Sequence, residues 1–146
     1  SAIAEGGHEV ASHSFTHRFS NTVPKEELFQ ELDKTAALIA GVAARPTLFR
    51  PPGGGYNDNL VRELKQHGYT TVLWSVDPRD WERRSPAQIS SFVIEKAAPG
   101  AIVLLHEGEC AAGTPEAVAK IIDTLRSQGY EFVTVSELLQ YYEVRD

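Results

Sequence analysis

Three observations predict a parallel α/β fold for this sequence, arranged as a barrel or as an open sheet. Short segments rich in apolar and β-branched residues alternate with longer segments of helical periodicity, with no long linker or repeat between them. The run 101–105 is apolar throughout, as in strands that are covered on both faces of a parallel sheet. Charged or polar residues follow several predicted strands, which is where such folds place their sites.

The predicted strands are short runs of apolar, β-branched or aromatic residues bounded by turn residues. The first follows a turn that begins at Gly7, and the third begins at Tyr69 and ends before Asp77. We expect strands near residues 9–12, 47–49, 69–76, 101–105 and 131–135.

The predicted helices begin at residues that favour a helix N-terminus, and most end at a glycine. Pro24 suits a first helical turn, and Glu26 and Glu27 suit the positive end of the helix dipole. Asn57 is a favourable N-cap for the second helix. We expect helices over about residues 24–40, 57–68, 85–98, 114–129 and 136–142, and residues 1–4 look like the end of a further helix.

Length and composition predict one domain, residues 1–146, that can bury a sizeable core. Apolar residues make up 42% of the chain and charged residues 23%, which is ordinary for a globular protein in water. The net charge of −6, without a cluster of Lys or Arg, argues against nucleic acid as a partner. The single cysteine, Cys110, excludes an internal disulfide framework. No run approaches the roughly 20 apolar residues of a membrane span, and no signal peptide is visible.

Two histidines, His13 and His17, stand four residues apart among hydroxyl residues. Neutral imidazole is a preferred zinc ligand, and two such rings at this spacing can close on one divalent ion. Loop residues and a helix start follow, so we place the pair in a loop at the end of a strand. The alternative is that both histidines are surface or packing residues, and their spacing alone does not decide between the two interpretations.

Three later motifs also follow predicted strands: Arg50-Pro51-Pro52-Gly53, Asp77-Pro78-Arg79-Asp80-Trp81 and Leu104-Leu105-His106. The first two have structural alternatives. The arginine could pair with a surface carboxylate, the aspartates could shape a turn around the proline, and the tryptophan could belong to the core. The histidine is harder to explain in this way, because a polar ring without partners is costly to bury at the end of an apolar strand.

In this combination and order, the motifs resemble those of the NodB-type polysaccharide deacetylases, the metal-dependent carbohydrate esterase family 4. The likeness runs from Gly7-His8-Glu9-Val10 to Val135-Ser136-Glu137-Leu138, which is nearly the whole chain. It implies a distorted parallel (β/α) barrel. It also implies removal of acetyl groups from N-acetylglucosamine units of a polysaccharide, with peptidoglycan as the first candidate and chitin-type oligomers as the second.

The resemblance assigns catalytic roles to five residues. His13 and His17 would hold a divalent metal, zinc in first place and cobalt or another ion as alternatives. His106 would be the catalytic acid, and Asp80 would hold the other ring nitrogen of that histidine. Arg50 would orient the catalytic base.

The resemblance also implies the substrate contacts. A polysaccharide would bind against Pro51, Gly53, Trp81 and Leu104. The Gly53 N–H would donate to the oxyanion, and the tryptophan and leucine would enclose the acetyl methyl group. With such a substrate, we expect the protein outside the cell or at the cell wall.

The chain departs from the family in its first motif, a pair of aspartates that supplies the catalytic base and the third metal ligand. No Asp-Asp pair occurs in the sequence. We therefore expect a barrel without its first strand or strands, and an inactive chain. We favour a fragment, because the other motifs are all present. Alternatively, a second chain or a dimer partner supplies the missing strands, or the protein is a natural pseudoenzyme.

A second departure is Gly53, where the family often has tyrosine. The backbone N–H is kept, but one side-chain wall of the groove is lost, and Tyr56 is a candidate to replace it.

A second class of function stays open at this point: a non-catalytic carbohydrate-binding or structural-zinc module. In that interpretation Cys110 would join His13, His17 and His106 as a fourth zinc ligand, which would leave no position for water. The two remaining histidines, at positions 8 and 67, are interpreted as structural or surface residues.

Overall fold

The computed structural model describes residues 2–141, and the chain divides into two compact units at the Leu73–Trp74 bond. Six α-helices lie in the described residues: α1 Ala2–Glu5, α2 Lys25–Ile39, α3 Asp58–Gln66, α4 Pro86–Lys96, α5 Thr114–Ser127 and α6 Val135–Leu139. Two strands, β1 Leu48–Phe49 and β2 Thr70–Thr71, and three short 3₁₀ turns, Pro52–Gly54, Asp80–Glu82 and Glu109–Ala111, complete the elements.

The first unit is built on three parallel extended segments. β1 pairs in parallel with β2, with Leu48 opposite Thr70. On its other side, β1 pairs with Ser12, whose N–H donates to the Leu48 carbonyl at 2.9 Å and whose carbonyl accepts from the Arg50 N–H at 3.0 Å. Because parallel segments end at the same edge, the residues that follow Ser12 and β1 lie side by side.

Helices α2 and α3 supply the core of the first unit together with the strands. Pro24 precedes α2, and acidic residues occupy its first turn. The Asn57 side chain caps α3 by accepting from the Leu60 N–H at 2.9 Å. The buried cluster consists of Leu28, Leu32, Phe49, Leu60, Leu64 and Tyr69.

The second unit has one parallel contact, between Val76 and Val103, in which the Leu104 N–H donates to the Val76 carbonyl at 2.9 Å. α4 begins with a capping box formed by Ser85 and Gln88. α4 and α5 pack against each other through a cluster of Val76, Ile89, Val93, Ala117, Ile121 and Leu125. The helices meet closely at Gly113, where a Cβ would come within 2.8 Å of the Arg84 carbonyl.

The α/β class is confirmed, and α2 to α5 fall within about two residues of the predicted bounds. The strands are much shorter than predicted. The segment 9–12 contributes a single bridge at Ser12, 69–76 contributes β2 and a bridge at Val76, and 101–105 contributes a bridge at Val103. An apolar run becomes a long strand only where a neighbour stays in register with it. Two expectations stay predictions: the distorted parallel barrel that lacks its first strand or strands, and the single domain.

The predicted strand at 131–135 is wrong. None of these residues pairs with another segment of residues 2–141, and Phe132 and Val133 are half exposed. A capping box explains the local outcome: the Thr134 side chain accepts from the Glu137 N–H, and the Glu137 carboxylate accepts from the Thr134 N–H at 2.7 Å. The box starts α6 at Val135, one residue before the predicted start, and Tyr142 of the predicted helix lies outside the described residues.

Two further expectations concern His67 and membrane-spanning helices. His67 stacks on the Phe29 ring at 4.2 Å between centroids and lies 3.4 Å from an Asp33 oxygen, which confirms its structural interpretation. In the part of the chain described, no helix combines the length and the apolar character that a membrane crossing requires.

Replacing Asn57 by alanine should lower the free energy of unfolding by about 1 kcal/mol, because the Leu60 N–H would lose its acceptor at the start of α3. Urea denaturation measures this change. Asn59→Ala is the matched control. The Asn59 side chain is exposed and its hydrogen bond from Arg62 is long, at 3.4 Å, so this change should alter the free energy of unfolding by less than about 0.5 kcal/mol. Equal losses in the two variants would show that the cap contributes nothing.

Candidate functional site

The His13 ring is held at the edge of the parallel segments of the first unit. Its Nδ1 lies 2.6 Å from the Arg50 carbonyl oxygen, immediately after β1. Because a carbonyl only accepts hydrogen bonds, Nδ1 carries the proton, and Nε2 keeps the lone pair that a metal needs. Histidine ligands of metals are commonly oriented by such a contact to the second ring nitrogen.

His17 is brought back towards His13 by two residues in the left-handed region. Ser14 has φ 63° and His17 has φ 59°, and the His17 N–H donates to the Ser14 hydroxyl oxygen at 3.0 Å. The two imidazole rings stand edge to face with 4.9 Å between their centroids. Left-handed conformations of non-glycine residues are costly and tend to persist where the surrounding structure enforces them. The predicted pair is therefore brought together.

Glu31 on α2 fixes the loop that carries the two histidines, and sequence reasoning missed it. Its side chain is only 7% exposed, and its carboxylate accepts from the Thr16 hydroxyl and from the N–H groups of Phe15 and Thr16, the latter two at 3.3 Å. The Thr16 hydroxyl bond holds the pKa of Glu31 below its usual value despite the burial that opposes it. The signal available in the sequence was a glutamate on the apolar face of a helix, between Leu28 and Leu32.

Arg50 follows β1, and its side chain is half-buried. Burial lowers the pKa of the guanidinium, although arginine stays charged at neutral pH. Within the described residues of the first unit, the guanidinium has neither a carboxylate partner nor a hydrogen-bond acceptor. Such a cation suits an anion from outside this unit. Pro51 and Pro52, which follow, are fully buried.

Gly53 adopts φ 64°, which glycine reaches without strain. Its N–H donates no hydrogen bond to any residue in the range 2–73, in keeping with the expected oxyanion contact. The side chain nearest to Gly53 is that of Phe19, and the replacement of the family's tyrosine by Tyr56 stays a prediction.

In the second unit, the Asp80 carboxylate is fully buried and accepts four hydrogen bonds. Oδ1 lies 2.8 Å from the His106 Nδ1 and accepts from the Trp81 N–H at 3.1 Å. Oδ2 accepts from the His106 N–H and from the Thr114 hydroxyl, both at 2.7 Å. The predicted contact between Asp80 and a ring nitrogen of His106 is therefore present.

The charge of this carboxylate fixes the tautomer of His106. Burial alone would raise the pKa of Asp80, but the hydrogen bonds from His106 and Thr114 outweigh it and hold the pKa below its usual value. An ionised carboxylate only accepts, so the His106 Nδ1 carries a proton, and Nε2 is the nitrogen that can exchange one with a substrate. The His106 side chain is 36% exposed.

Thr114 was recognised in the sequence only as a helix start. As the first residue of α5 it is buried and gives its hydroxyl to Asp80. Nothing in the sequence distinguished this threonine from an ordinary N-terminal residue, because its partner lies 34 positions earlier in the chain.

The remaining predicted residues of the second unit differ in exposure. Trp81 is 45% exposed, whereas Leu104 is buried, with its N–H bonded to Val76. Asp77 shapes the turn, because its side chain accepts from the Arg79 N–H at 2.8 Å. His13, His17, Arg50, Pro51 and Gly53 belong to the first unit, and Asp80, Trp81, Leu104 and His106 to the second.

A divalent metal fits the His13–His17 pair in part. Both donors are imidazoles, and the Arg50 carbonyl occupies the His13 Nδ1, so Nε2 would be the nitrogen that binds an ion. Within neither unit do residues 2–141 bring together three or more His, Cys, Asp or Glu side chains that could hold an ion. Cys110 is exposed in the 3₁₀ turn Glu109–Ala111. The described residues thus offer two candidate metal ligands, His13 and His17, and no observation favours the cysteine as another.

Comparisons with known proteins identify the family of the chain. The family model described as polysaccharide deacetylase matches residues 1–72. A peptidoglycan-N-acetylglucosamine deacetylase of Bacillus cereus is 41% identical over 142 residues, which is 95% of this chain and 67% of that relative. The chain therefore spans about two thirds of the length of this relative.

Solved structures show the same likeness. A crystal structure of a peptidoglycan N-acetylglucosamine deacetylase in complex with 4-naphthalen-1-yl-N-oxidanyl-benzamide superposes with a TM-score of 0.90 at 29% identity, covering 98% of this chain and 68% of that one. A pseudoenzyme of carbohydrate esterase family 4 from Bacillus anthracis superposes with a TM-score of 0.85 at 34% identity, covering 94% of this chain and 48% of that one. The chain belongs to the polysaccharide deacetylase family, carbohydrate esterase family 4.

Proposed function

We propose that the protein carrying this chain hydrolyses the N-acetyl group of N-acetylglucosamine units in peptidoglycan, in a metal-dependent reaction. The observation that carries this proposal is the His106–Asp80 pair, in which a buried, ionised carboxylate sets the proton of one ring nitrogen. The similarity to a peptidoglycan-N-acetylglucosamine deacetylase supports peptidoglycan as the first substrate and the cell wall as the site of action. Chitin-type oligomers are the second substrate candidate.

In the proposed reaction, water adds to the acetyl carbonyl carbon, the carbon–nitrogen bond breaks, and acetate leaves. The departing amine nitrogen needs a proton, which His106 delivers from Nε2 while Asp80 compensates the charge of the ring. The Gly53 N–H, which has no acceptor among the described residues of the first unit, would donate to the negative carbonyl oxygen. Trp81 offers an exposed apolar side chain for the acetyl methyl group.

His13 and His17 would hold the divalent ion, which polarises the acetyl carbonyl as a Lewis acid when bound. We infer zinc from the two imidazole donors, with cobalt or another ion as alternatives. Neither the base nor a third ligand is found among the described residues of either unit. We propose that a pair of aspartates outside these 146 residues supplies them, one as the base and the other as the third ligand. Arg50 would orient the base, since its guanidinium has no anion partner among the described residues of the first unit.

The second candidate is a non-catalytic carbohydrate-binding protein of the same family. The similarity to a pseudoenzyme of carbohydrate esterase family 4 is the observation that favours it. In that case the same histidines would bind metal and glycan without turnover. The two candidates differ in whether acetate is released.

The direct test is acetate release by the full protein from peptidoglycan fragments and from chitin oligomers, with and without a chelator. We expect release that stops with chelator and returns with added zinc. The isolated 146-residue chain is the control, and without the base it should be at least about 10²-fold slower. Release that resists the chelator would contradict the metal-dependent mechanism, and no release from any acetylated glycan would favour the binding protein.

Asp80→Asn should lower kcat for acetate release by about 10²- to 10⁴-fold, the usual range for general acid catalysis. An amide accepts through one oxygen only, so the four donors around residue 80 could not all be satisfied and the His106 ring would lose its orientation. Asp77→Asn is the matched control, since asparagine can still accept from the Arg79 N–H. Thermal unfolding of both variants separates lost catalysis from lost fold, and an Asp80→Asn protein that is folded and fully active would refute the assigned acid.

Glu31→Gln should weaken metal binding by about 10- to 100-fold, the usual effect of removing a group that orients a metal ligand. Glutamine has one acceptor oxygen and no charge, so it cannot accept from the N–H groups of Phe15 and Thr16 and also from the Thr16 hydroxyl, as the carboxylate does. Competition with a chromogenic chelator measures the dissociation constant directly. Glu26→Gln, an exposed change on the same helix, is the control and should leave the constant unchanged. Equal affinities in the two variants would show that Glu31 does not position the histidine loop.

A further inference from the structure

Three consecutive glycines, Gly53 to Gly55, give the first unit a stretch of backbone without side chains beside the predicted oxyanion contact. Two side chains from an earlier turn occupy the space that Cβ atoms would need. The Phe19 ring comes within 2.3 Å and 2.8 Å of an ideal Cβ on Gly53, and the Asn21 amide within 3.0 Å of one on Gly55. The glycine run and the turn at 19–22 are therefore fitted to each other.

The turn itself is fixed by hydrogen bonds to one carbonyl. The Phe19 carbonyl accepts from the Thr22 N–H at 2.9 Å and from the Thr22 hydroxyl at 2.8 Å. With its backbone held in this way, and with part of its ring against Gly53, Phe19 has a restricted position. A ring that is already ordered loses little conformational entropy when a ligand packs on it.

Phe19 nevertheless stays 57% exposed. An exposed apolar side chain is common and by itself indicates nothing. Here the exposed ring lies against Gly53, whose N–H is assigned to the oxyanion, and it follows His17 by two residues in the chain. The neighbouring Phe15 differs, because the Lys34 ammonium lies 5.8 Å from its ring centroid and covers it in part.

We propose that Phe19 is a binding residue that packs its ring against the apolar C–H face of a pyranose unit of the acetylated glycan. The proposal rests on the proposed function. Pyranose rings present C–H groups with a small positive charge, and the face of an aromatic ring is negative, so the two surfaces are complementary. Gly53 has the role of admitting the ring, since any side chain at position 53 would displace it.

The test compares Phe19→Tyr and Phe19→Leu in the full protein with a chitin tetramer as substrate. Tyrosine keeps the ring face, and leucine keeps apolar packing against Gly53 without it. We expect KM for Phe19→Tyr to stay near that of the wild type, and KM for Phe19→Leu to rise about 3- to 10-fold with kcat nearly unchanged, in line with the usual contribution of an aromatic contact.

A purely structural role of Phe19 would give a different pattern. If the ring only supported the Gly53 backbone, Phe19→Leu would either keep the KM of the wild type, because leucine still packs there, or lower kcat by displacing the oxyanion donor. Either a KM of Phe19→Leu equal to that of the wild type or a fall in kcat alone overturns the proposal.

Gly53→Ala provides a second measurement, because its Cβ must push the ring aside. In a cycle with Phe19→Leu, the rise in KM caused by Gly53→Ala should be smaller in the leucine background than in the wild type. Strictly additive effects on KM would show that the two positions act independently and would contradict the proposal.

Binding measured by calorimetry separates this proposal from the proposed function. If no variant releases acetate, binding of the chitin tetramer to the wild type that is weakened in Phe19→Leu and kept in Phe19→Tyr still supports the aromatic contact. A wild-type protein that does not bind the tetramer overturns the contact, whereas the deacetylase function is overturned only if peptidoglycan fragments also release no acetate.

Discussion

Two buried carboxylates, one in each unit, hold in place the segments that carry the candidate chemistry. The carboxylate of Asp80 fixes more segments than that of Glu31. Its oxygens join three segments of the second unit: the turn at 77–82, the end of the apolar run at His106 and the first residue of α5. Removing one partner from a buried charge costs several kcal/mol, so none of these segments can shift alone. The orientation of the His106 ring therefore depends on the position of Thr114 at the start of α5, and so on how α4 and α5 pack.

Glu31 holds a segment of the first unit in place in the same way. Like Asp80, it accepts from backbone N–H groups and from a threonine hydroxyl, and its pKa is held low by those donors. In both cases the acid accepts from the N–H groups of a peptide segment and holds that segment in place. Arg50 is the opposite case, a half-buried cation that has no anion partner among residues 2–73.

The sequence allowed the α/β class, four helices and the contacts within two motifs to be predicted, because these depend on local periodicity, capping residues and residue type. Asn57 and Ser85, for example, are N-cap residues at the predicted starts of their helices. The strands could not be bounded, since pairing depends on a distant neighbour in register, and the alternating pattern at 131–135 formed no strand. Glu31 and Thr114 were missed for a related reason: their importance lies in contacts 15 and 34 positions away.

The stretch after β1 combines two prolines with three glycines, and these residues behave in opposite ways in the unfolded chain. Prolines have few backbone states to lose on folding, whereas glycines have the most, so the entropic cost of ordering this stretch falls on Gly53, Gly54 and Gly55. Gly53 and Gly54 both occupy positive φ, at 64° and 71°. The two prolines therefore order the backbone next to Arg50 at little entropic cost. The packing of Phe19 and Asn21 against Gly53 and Gly55 must offset the larger cost of ordering the glycines.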